Sequence, residues 1–186
     1  DAGQFLQTNG SGVTSWASVA TYGMVNVGTA TADNSGTTLT VTGLDTTYRT
    51  YCISLTDFKV VGGGNQLWFR IGDSGGIKTD SNYHCHISKT NSSTTSYDGA
   101  TVNAGNHFLL SDYGGSDADE TGGAVLFLHQ TGKTCTINGT MAWGHNSGYI
   151  QGGWFAGGYK STSFAVTQVQ MTTNSGNLPT GTMDVW

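Results

Sequence analysis

Apolar and polar residues alternate with period two through most of this chain, whereas apolar residues at helical spacing are almost absent. Such alternation is typical of strands with one buried face. Gly accounts for 29 of the 186 residues and Pro for 1, and Ser, Thr and Asn are abundant between the apolar runs. Many turns separated by aromatic and β-branched stretches predict an all-β fold.

About nine strands are predicted within residues 37–186. In TYRTYCISLTDFKV (47–60), Tyr51, Ile53 and Leu55 share one face, and the run AVLFLH (124–129) is apolar on both faces, as expected inside a two-layer body. The run AVLFLH belongs to the predicted strand GGAVLFLHQ (122–130). The remaining predicted strands are TTLTVTGL (37–44), NQLWFRIG (65–72), YHCHISK (83–89), NHFLLSDY (106–113), CTINGTMAWGH (135–145), YIQGGWFAGGY (149–159), TSFAVTQVQMTT (162–173) and GTMDVW (181–186).

These segments predict one antiparallel β-sandwich, jelly-roll-like, over residues 23–186, with a barrel as the alternative. Imperfect alternation around Thr167 and Gln168 predicts a bulge. The stretch NSSTTSYDGA (91–100) is predicted to be a long polar loop.

Residues 1–22 differ from this body, because GQFLQTNGSGVTSWASVA (3–20) is rich in Gly, Ser and Thr and lacks sustained alternation. Its scattered apolar residues are too numerous for a freely solvated tether. We therefore predict an extended connector whose side chains Phe5, Leu6, Trp16 and Val19 act as anchors in an assembly. The first residues also suggest that the chain is a piece of a longer protein.

Charge and cysteine content exclude several classes of protein. The formal net charge is -5 and the 7 Lys and Arg residues do not cluster, which argues against nucleic acid as a partner. No apolar run is long enough to insert across a bilayer. Cys52, Cys85 and Cys135 are odd in number and far apart, so they are predicted to be reduced strand residues.

The connector carries a resemblance to a known group of proteins. Gly3, Leu6, Asn9, Gly10, Gly12 and Trp16 match an element of the form G-x-x-L-x-x-N-G-x-G-x-x-x-W. This element resembles one found in tailed-bacteriophage fibres and other virion proteins, notably those of cyanophages, where it stands between a trimeric shaft and a β-domain. The segments LDTTYRTYCISLTDFKV, LWFRIGDSGG and GTMDVW are similar to strands of those domains.

The resemblance implies a virion structural protein. We also predict that the protein has no enzymatic activity and no cofactor. The preferred interpretation is the distal domain of a homotrimeric tail fibre, exposed on the particle, which contacts other virion proteins and a host surface polysaccharide. A capsid head decoration or cement protein, gripping the head through its N-terminal arm, is the first alternative. A polysaccharide depolymerase is the second, although Glu120 is the only glutamate in the chain.

An aromatic cluster is the best candidate for contact with a glycan. The segment AWGHNSGYIQGGWFAGGYK brings together Trp143, His145, Tyr149, Trp154 and Tyr159, with Phe155 beside them. Trp and Tyr can stack on the apolar C–H faces of sugar rings, and His can supply a hydrogen bond. Burial of these aromatic side chains in a core or a trimer interface is nevertheless the favoured interpretation of the cluster, with glycan contact as its alternative.

Metal and catalytic signals are weak. Asp117, Asp119 and Glu120, near Asp112, could ligate calcium, but the spacing is not that of an EF-hand.

His84 and His86 share a strand face, with Cys85 on the other, but no further zinc ligands follow at a suitable spacing. The pentapeptide GDSGG around Ser74 matches the nucleophile segment of trypsin-like proteases, but no histidine precedes it, so we predict a hairpin turn.

Overall fold

The structure is a computed structural model that describes residues 4–8, 11–12, 14–18, 23–60, 65–91, 97–114, 120–130, 134–144, 150–161 and 164–186. Within these residues the chain forms fifteen strands. In chain order they are β1 (Gln4–Thr8), β2 (Thr14–Ser18), β3 (Gly28–Thr31), β4 (Thr38–Thr42), β5 (Thr50–Phe58), β6 (Asn65–Asp73), β7 (Gly76–Ile77), β8 (Tyr83–Asn91), β9 (Tyr97–Gly105), β10 (Phe108–Gly114), β11 (Gly122–Gln130), β12 (Thr134–Gly144), β13 (Ile150–Lys160), β14 (Gln168–Thr173) and β15 (Thr182–Val185).

The strands form three sheets in which every pair is antiparallel. A small sheet contains β1 and β2 alone, and a five-stranded sheet has the order β10–β6–β14–β4, with β7 added against β6. An eight-stranded sheet has the order β3–β15–β5–β11–β12–β13–β8–β9. The predicted antiparallel, jelly-roll-like β-sandwich is confirmed.

Inward side chains of the two large sheets form one core, as period-two alternation requires. Tyr51, Ile53 and Leu55 of β5 are buried, as predicted. Across the core lie Leu67 and Phe69 of the five-stranded sheet, also fully buried.

Aromatic rings and one hydroxyl connect the sheets at the β8 end. The ring of Phe108 on β10 lies edge-on to Tyr83 and Phe155 of the larger sheet, with centroids 4.8 Å and 5.9 Å away. The Tyr83 hydroxyl also donates to the carbonyl of Ile71 on β6 at 3.1 Å. Burial raises the pKa of Tyr83 well above its ordinary value, so this hydroxyl stays protonated and remains a donor.

Every strand segment predicted between residues 37 and 186 overlaps a strand, although β14 covers only residues 168–173 of the segment 162–173. The structure adds β7 and also β9, whose first residues fall in the stretch predicted to be a loop, so that prediction is wrong from Tyr97 onward. The bulge predicted near Thr167 and Gln168 is not found within β14, which pairs with β4 and β6 in continuous register. Strand β14 begins only at Gln168, and the Thr167 carbonyl accepts hydrogen bonds from the amides of both Gly43 and Leu44.

The connector also differs from prediction. Instead of one extended arm, β1 and β2 pair as an antiparallel hairpin, with Leu6 opposite Trp16 and Phe5 opposite Ala17. Gly12, between the strands, has a φ of 78°, a conformation that glycine adopts at little cost and that lets the chain reverse. The anchor Val19 lies outside the described residues.

The three cysteines are free thiols in strands, as predicted: Cys52 is half-buried, and Cys85 and Cys135 are buried. Burial raises the pKa of Cys135 to about 12, so this side chain packs as a small neutral group. Among the described residues, no helix has the length and apolar character needed to span a membrane.

Candidate functional site

The outward face of β13 centres on one large aromatic side chain. Trp154 is 74% exposed, and the outward positions on either side of it are Gly152 and Ala156. Trp154 pairs with Thr140 of β12 and with Ser88 of β8. Because these neighbours are small, the indole stands clear of the sheet.

Two grooves flank this indole on the outer face of the eight-stranded sheet. The Gly152 groove has a volume of about 360 Å³. The Ala156 groove has a volume of about 420 Å³. The Gly152 groove is lined by Ser88, Thr90, Thr140, Met141, Gly152, Gly153 and Trp154. The Ala156 groove is lined by His86, Ser88, Phe127, Asn138, Gly139, Thr140, Trp154, Phe155 and Ala156.

Hydrogen bonds fix the polar groups of the Ala156 groove. His129 Nδ1 lies 3.0 Å from Thr50 Oγ1, and its Nε2 lies 3.4 Å from Asn138 Oδ1. The Asn138 side-chain oxygen can only accept, so His129 donates to it from Nε2. Among the residues that the structure describes, the amide NH2 group of Asn138 has no hydrogen-bond partner, so it can donate to a ligand.

His86 supplies a second polar group to the same groove. Its Nδ1 lies 3.1 Å from Thr101 Oγ1 on the neighbouring strand β9. Its Nε2 has no hydrogen-bond partner in the part of the chain that the structure describes. As predicted, His84 shares the outer face with His86 while Cys85 is buried on the inner face.

Two members of the predicted aromatic cluster are core residues. Trp143 and Tyr159 are only 4% and 3% exposed, so neither can present a ring face to a glycan, and the glycan-contact interpretation is corrected for both. The Tyr159 hydroxyl donates to Asp80 Oδ2 at 2.8 Å, and burial raises the pKa of Tyr159 to about 12. Phe155 is buried as well, while His145 and Tyr149 lie outside the described residues.

The site includes residues that the sequence did not single out for it. Asn138, Ser88 and Thr140 are ordinary polar strand residues, and their role follows only from the order β12–β13–β8. The run AVLFLH predicts a strand that is buried on both faces, but Phe127 in this run is exposed and forms the far wall of the Ala156 groove. One sequence pattern does indicate this site. Alternate residues of a strand share a face, so one large ring lies between two small residues at Gly152, Trp154 and Ala156.

The other candidates do not gather into a site. Asp117 and Asp119 lie outside the described residues, and Glu120 is buried just before β11. Within the described ranges, no group of three or more His, Cys, Asp or Glu side chains is close enough to hold a metal ion. Ser74 lies in the tight turn between β6 and β7, as predicted for GDSGG, where Asp73 Oδ2 pairs with Lys78 Nζ at 2.6 Å.

Comparison of the chain with models of protein families, with curated proteins and with solved structures found no match.

Proposed function

We propose that this domain is a non-enzymatic structural part of a phage virion, the distal domain of a trimeric tail fibre, and that it contacts a host cell-surface glycan. The observation that carries the glycan contact is the exposed indole of Trp154 between two grooves. Exposed aromatic rings with polar groups around them are typical of recognition surfaces. The resemblance of the connector to fibre proteins supports the place on the particle.

The assembly proposal draws on a separate surface. Beyond Phe127, an apolar groove of about 310 Å³ is lined by Met24, Val25, Tyr48 and Trp186, among others. These four side chains are exposed in the single chain. The groove includes the first described residues after the connector, where neighbouring copies of a trimer would meet. Sedimentation of the chain with its connector should give a trimer, and a monomer at high concentration would count against this part.

Glycan binding is tested by replacing Trp154→Ala. We expect wild-type protein to bind glycans on an array of bacterial surface polysaccharides, and the variant to bind them at least about tenfold more weakly. Val125→Ala is the matched control, because Val125 is also an exposed apolar side chain but lines neither groove beside Trp154 nor the apolar groove proposed for assembly. Equal binding by wild type and Trp154→Ala would overturn the proposed contact.

The place on the particle has its own test. Antibodies raised against the domain should label the tips of tail fibres on intact virions. Labelling of the capsid would favour a head decoration protein instead. Release of reducing ends from a bound polysaccharide would identify a depolymerase.

A further inference from the structure

The two grooves beside Trp154 share three residues, and this sharing constrains the kind of ligand. Trp154, Ser88 and Thr140 line both the Gly152 groove and the Ala156 groove. Ser88 and Thr140 are the cross-strand neighbours of Trp154, so the common wall is a ridge across the sheet with the indole at its crest. The indole therefore borders both grooves.

We infer that Trp154 separates two subsites, and that the ligand is an uncharged oligosaccharide with successive rings on the two sides of the indole. This inference rests on the proposed glycan contact, and it specifies in addition how many sugar rings bind and that these rings carry no charge. Each groove, at about 360 Å³ and about 420 Å³, falls within the range of small-molecule sites, so each has room for one sugar ring.

The subsites differ in the chemistry that they offer. The Gly152 groove presents the hydroxyls of Thr90 and Thr140, with the Thr90 hydroxyl already donating to the Gly152 carbonyl at 3.3 Å. The Ala156 groove presents the oriented Asn138 amide and the His86 imidazole, and Phe127 gives it a second apolar wall. The Ala156 groove is therefore the stronger subsite, because a ring there contacts two aromatic side chains.

Charge determines the class of sugar. No Lys, Arg, Asp or Glu is among the described residues that line either groove. A carboxylate-bearing ring would lose hydration there without gaining a cation as partner, which costs free energy. A neutral ring loses only hydroxyl hydration, and the groove's own hydroxyl, amide and imidazole groups replace it.

The number of subsites is tested with neutral β-glucan and β-mannan oligomers of one to four rings, followed by calorimetry or by tryptophan fluorescence. We expect affinity to rise at least about tenfold from one ring to two or three rings and then to level off. Equal affinity for one ring and for longer oligomers would overturn the two-subsite inference while leaving the glycan contact intact.

Filling each groove separately gives an independent measurement. A Cβ atom at Gly152 would meet nothing closer than the Met141 carbonyl oxygen at 3.7 Å, so the strand accepts a side chain there. Gly152→Val should lower oligomer affinity to the level of a single ring, and Ala156→Val should weaken binding of a single ring as well. Thermal unfolding of both variants checks that they fold, and unchanged oligomer binding by a folded variant would contradict the assignment of its groove.

Oligogalacturonides of matched length test the charge. They should bind at least about tenfold more weakly than the neutral oligomers. Equal or tighter binding of the acidic oligomers would overturn the inference that the ligand is uncharged, and would leave the two subsites standing. If no glycan binds to the wild type, the proposed contact fails, and this inference fails with it.

Discussion

His107 is a titratable residue whose environment predicts acid sensitivity. Its ring stacks on Trp68 with centroids 3.9 Å apart and planes 13° from parallel, and its Nδ1 lies 2.7 Å from Asn106 Oδ1. Burial, together with the nearby charge of Arg70, lowers the pKa of His107 to about 4. The folded protein therefore holds this imidazole neutral over a pH range in which the unfolded chain protonates it.

The sign of the effect follows from proton binding. Between pH 6.5 and about 4 the unfolded state binds a proton at His107 that the folded state does not, so stability falls as the pH falls through this range. His107→Phe keeps a ring on Trp68 and removes the titration. Urea midpoints measured from pH 7.5 to 4 should therefore decline more steeply for wild type than for His107→Phe, and parallel curves would contradict the prediction.

The alternation of side chains between the two faces of β13 explains why the predicted aromatic cluster contains both the exposed Trp154 and residues of the core. In β13 the outward positions are Gly152, Trp154 and Ala156, and the inward ones include Phe155 and Tyr159. Both sets contain aromatic and small residues, so hydrophobicity alone cannot tell which face is outside. The packing of the five-stranded sheet decides, as where Phe108 of β10 contacts Phe155, and that contact joins residues far apart in sequence.

At the scale of the strands, adjacent glycines in β13 give a matched pair of variants. A Cβ atom at Gly153 would lie 2.2 Å from the Ser88 carbonyl oxygen, whereas one at Gly152 would lie 3.7 Å from its nearest neighbour. Gly153→Ala must push β8 and β13 apart and is expected to cost about 1–3 kcal/mol. Gly152→Ala should leave stability unchanged or raise it by about 0.4–1 kcal/mol, because alanine restricts the unfolded chain.

Urea unfolding monitored by circular dichroism measures both variants under the same conditions. A lower midpoint for Gly153→Ala alone is the expected result. Equal midpoints would mean that the two strands have more freedom to separate than their close approach indicates.

Strand β9 is a strand that the alternation of apolar and polar residues does not predict. Its sequence, YDGATVNAG, contains mostly small and polar residues, and Val102 is its one aliphatic residue larger than alanine. It lies at the edge of the eight-stranded sheet, and its pairing with β8 shifts register between Tyr83 and Cys85. An edge strand buries little apolar surface, so its sequence need not alternate between apolar and polar residues. That alternation is the pattern that predicts β5 and β11.

For the whole molecule, alternation predicts buried faces but not the arrangement of sheets. A barrel and a sandwich both need strands with one face inside, which is why the sequence left both open. The choice depends on which strands pair, and the pairs are distant: β4 joins β14, and β3 joins β15. Local propensity carries no information about such partners.

The last strand closes the eight-stranded sheet, which makes the fold depend on a few terminal residues. Strand β15 lies between β3 and β5, and its side chains Met183 and Val185 are fully buried. The amide and carbonyl of Trp186 also exchange hydrogen bonds with Cys52 at 2.9 and 3.0 Å. Deleting residues 182–186 would therefore leave an uncovered core and unpaired edges on two strands.

This deletion is expected to abolish cooperative unfolding. Truncating one buried Met to Ala costs about 2–5 kcal/mol, and whole domains have only about 5–15 kcal/mol of stability. Deletion of residues 1–22 is the control, because β1 pairs only with β2 and its loss takes no strand from either large sheet. Near-ultraviolet circular dichroism and thermal unfolding should show a native core in the N-terminal deletion and none in the C-terminal one. A cooperative transition in the protein lacking residues 182–186 would mean that β3 and β5 can close the sheet without β15.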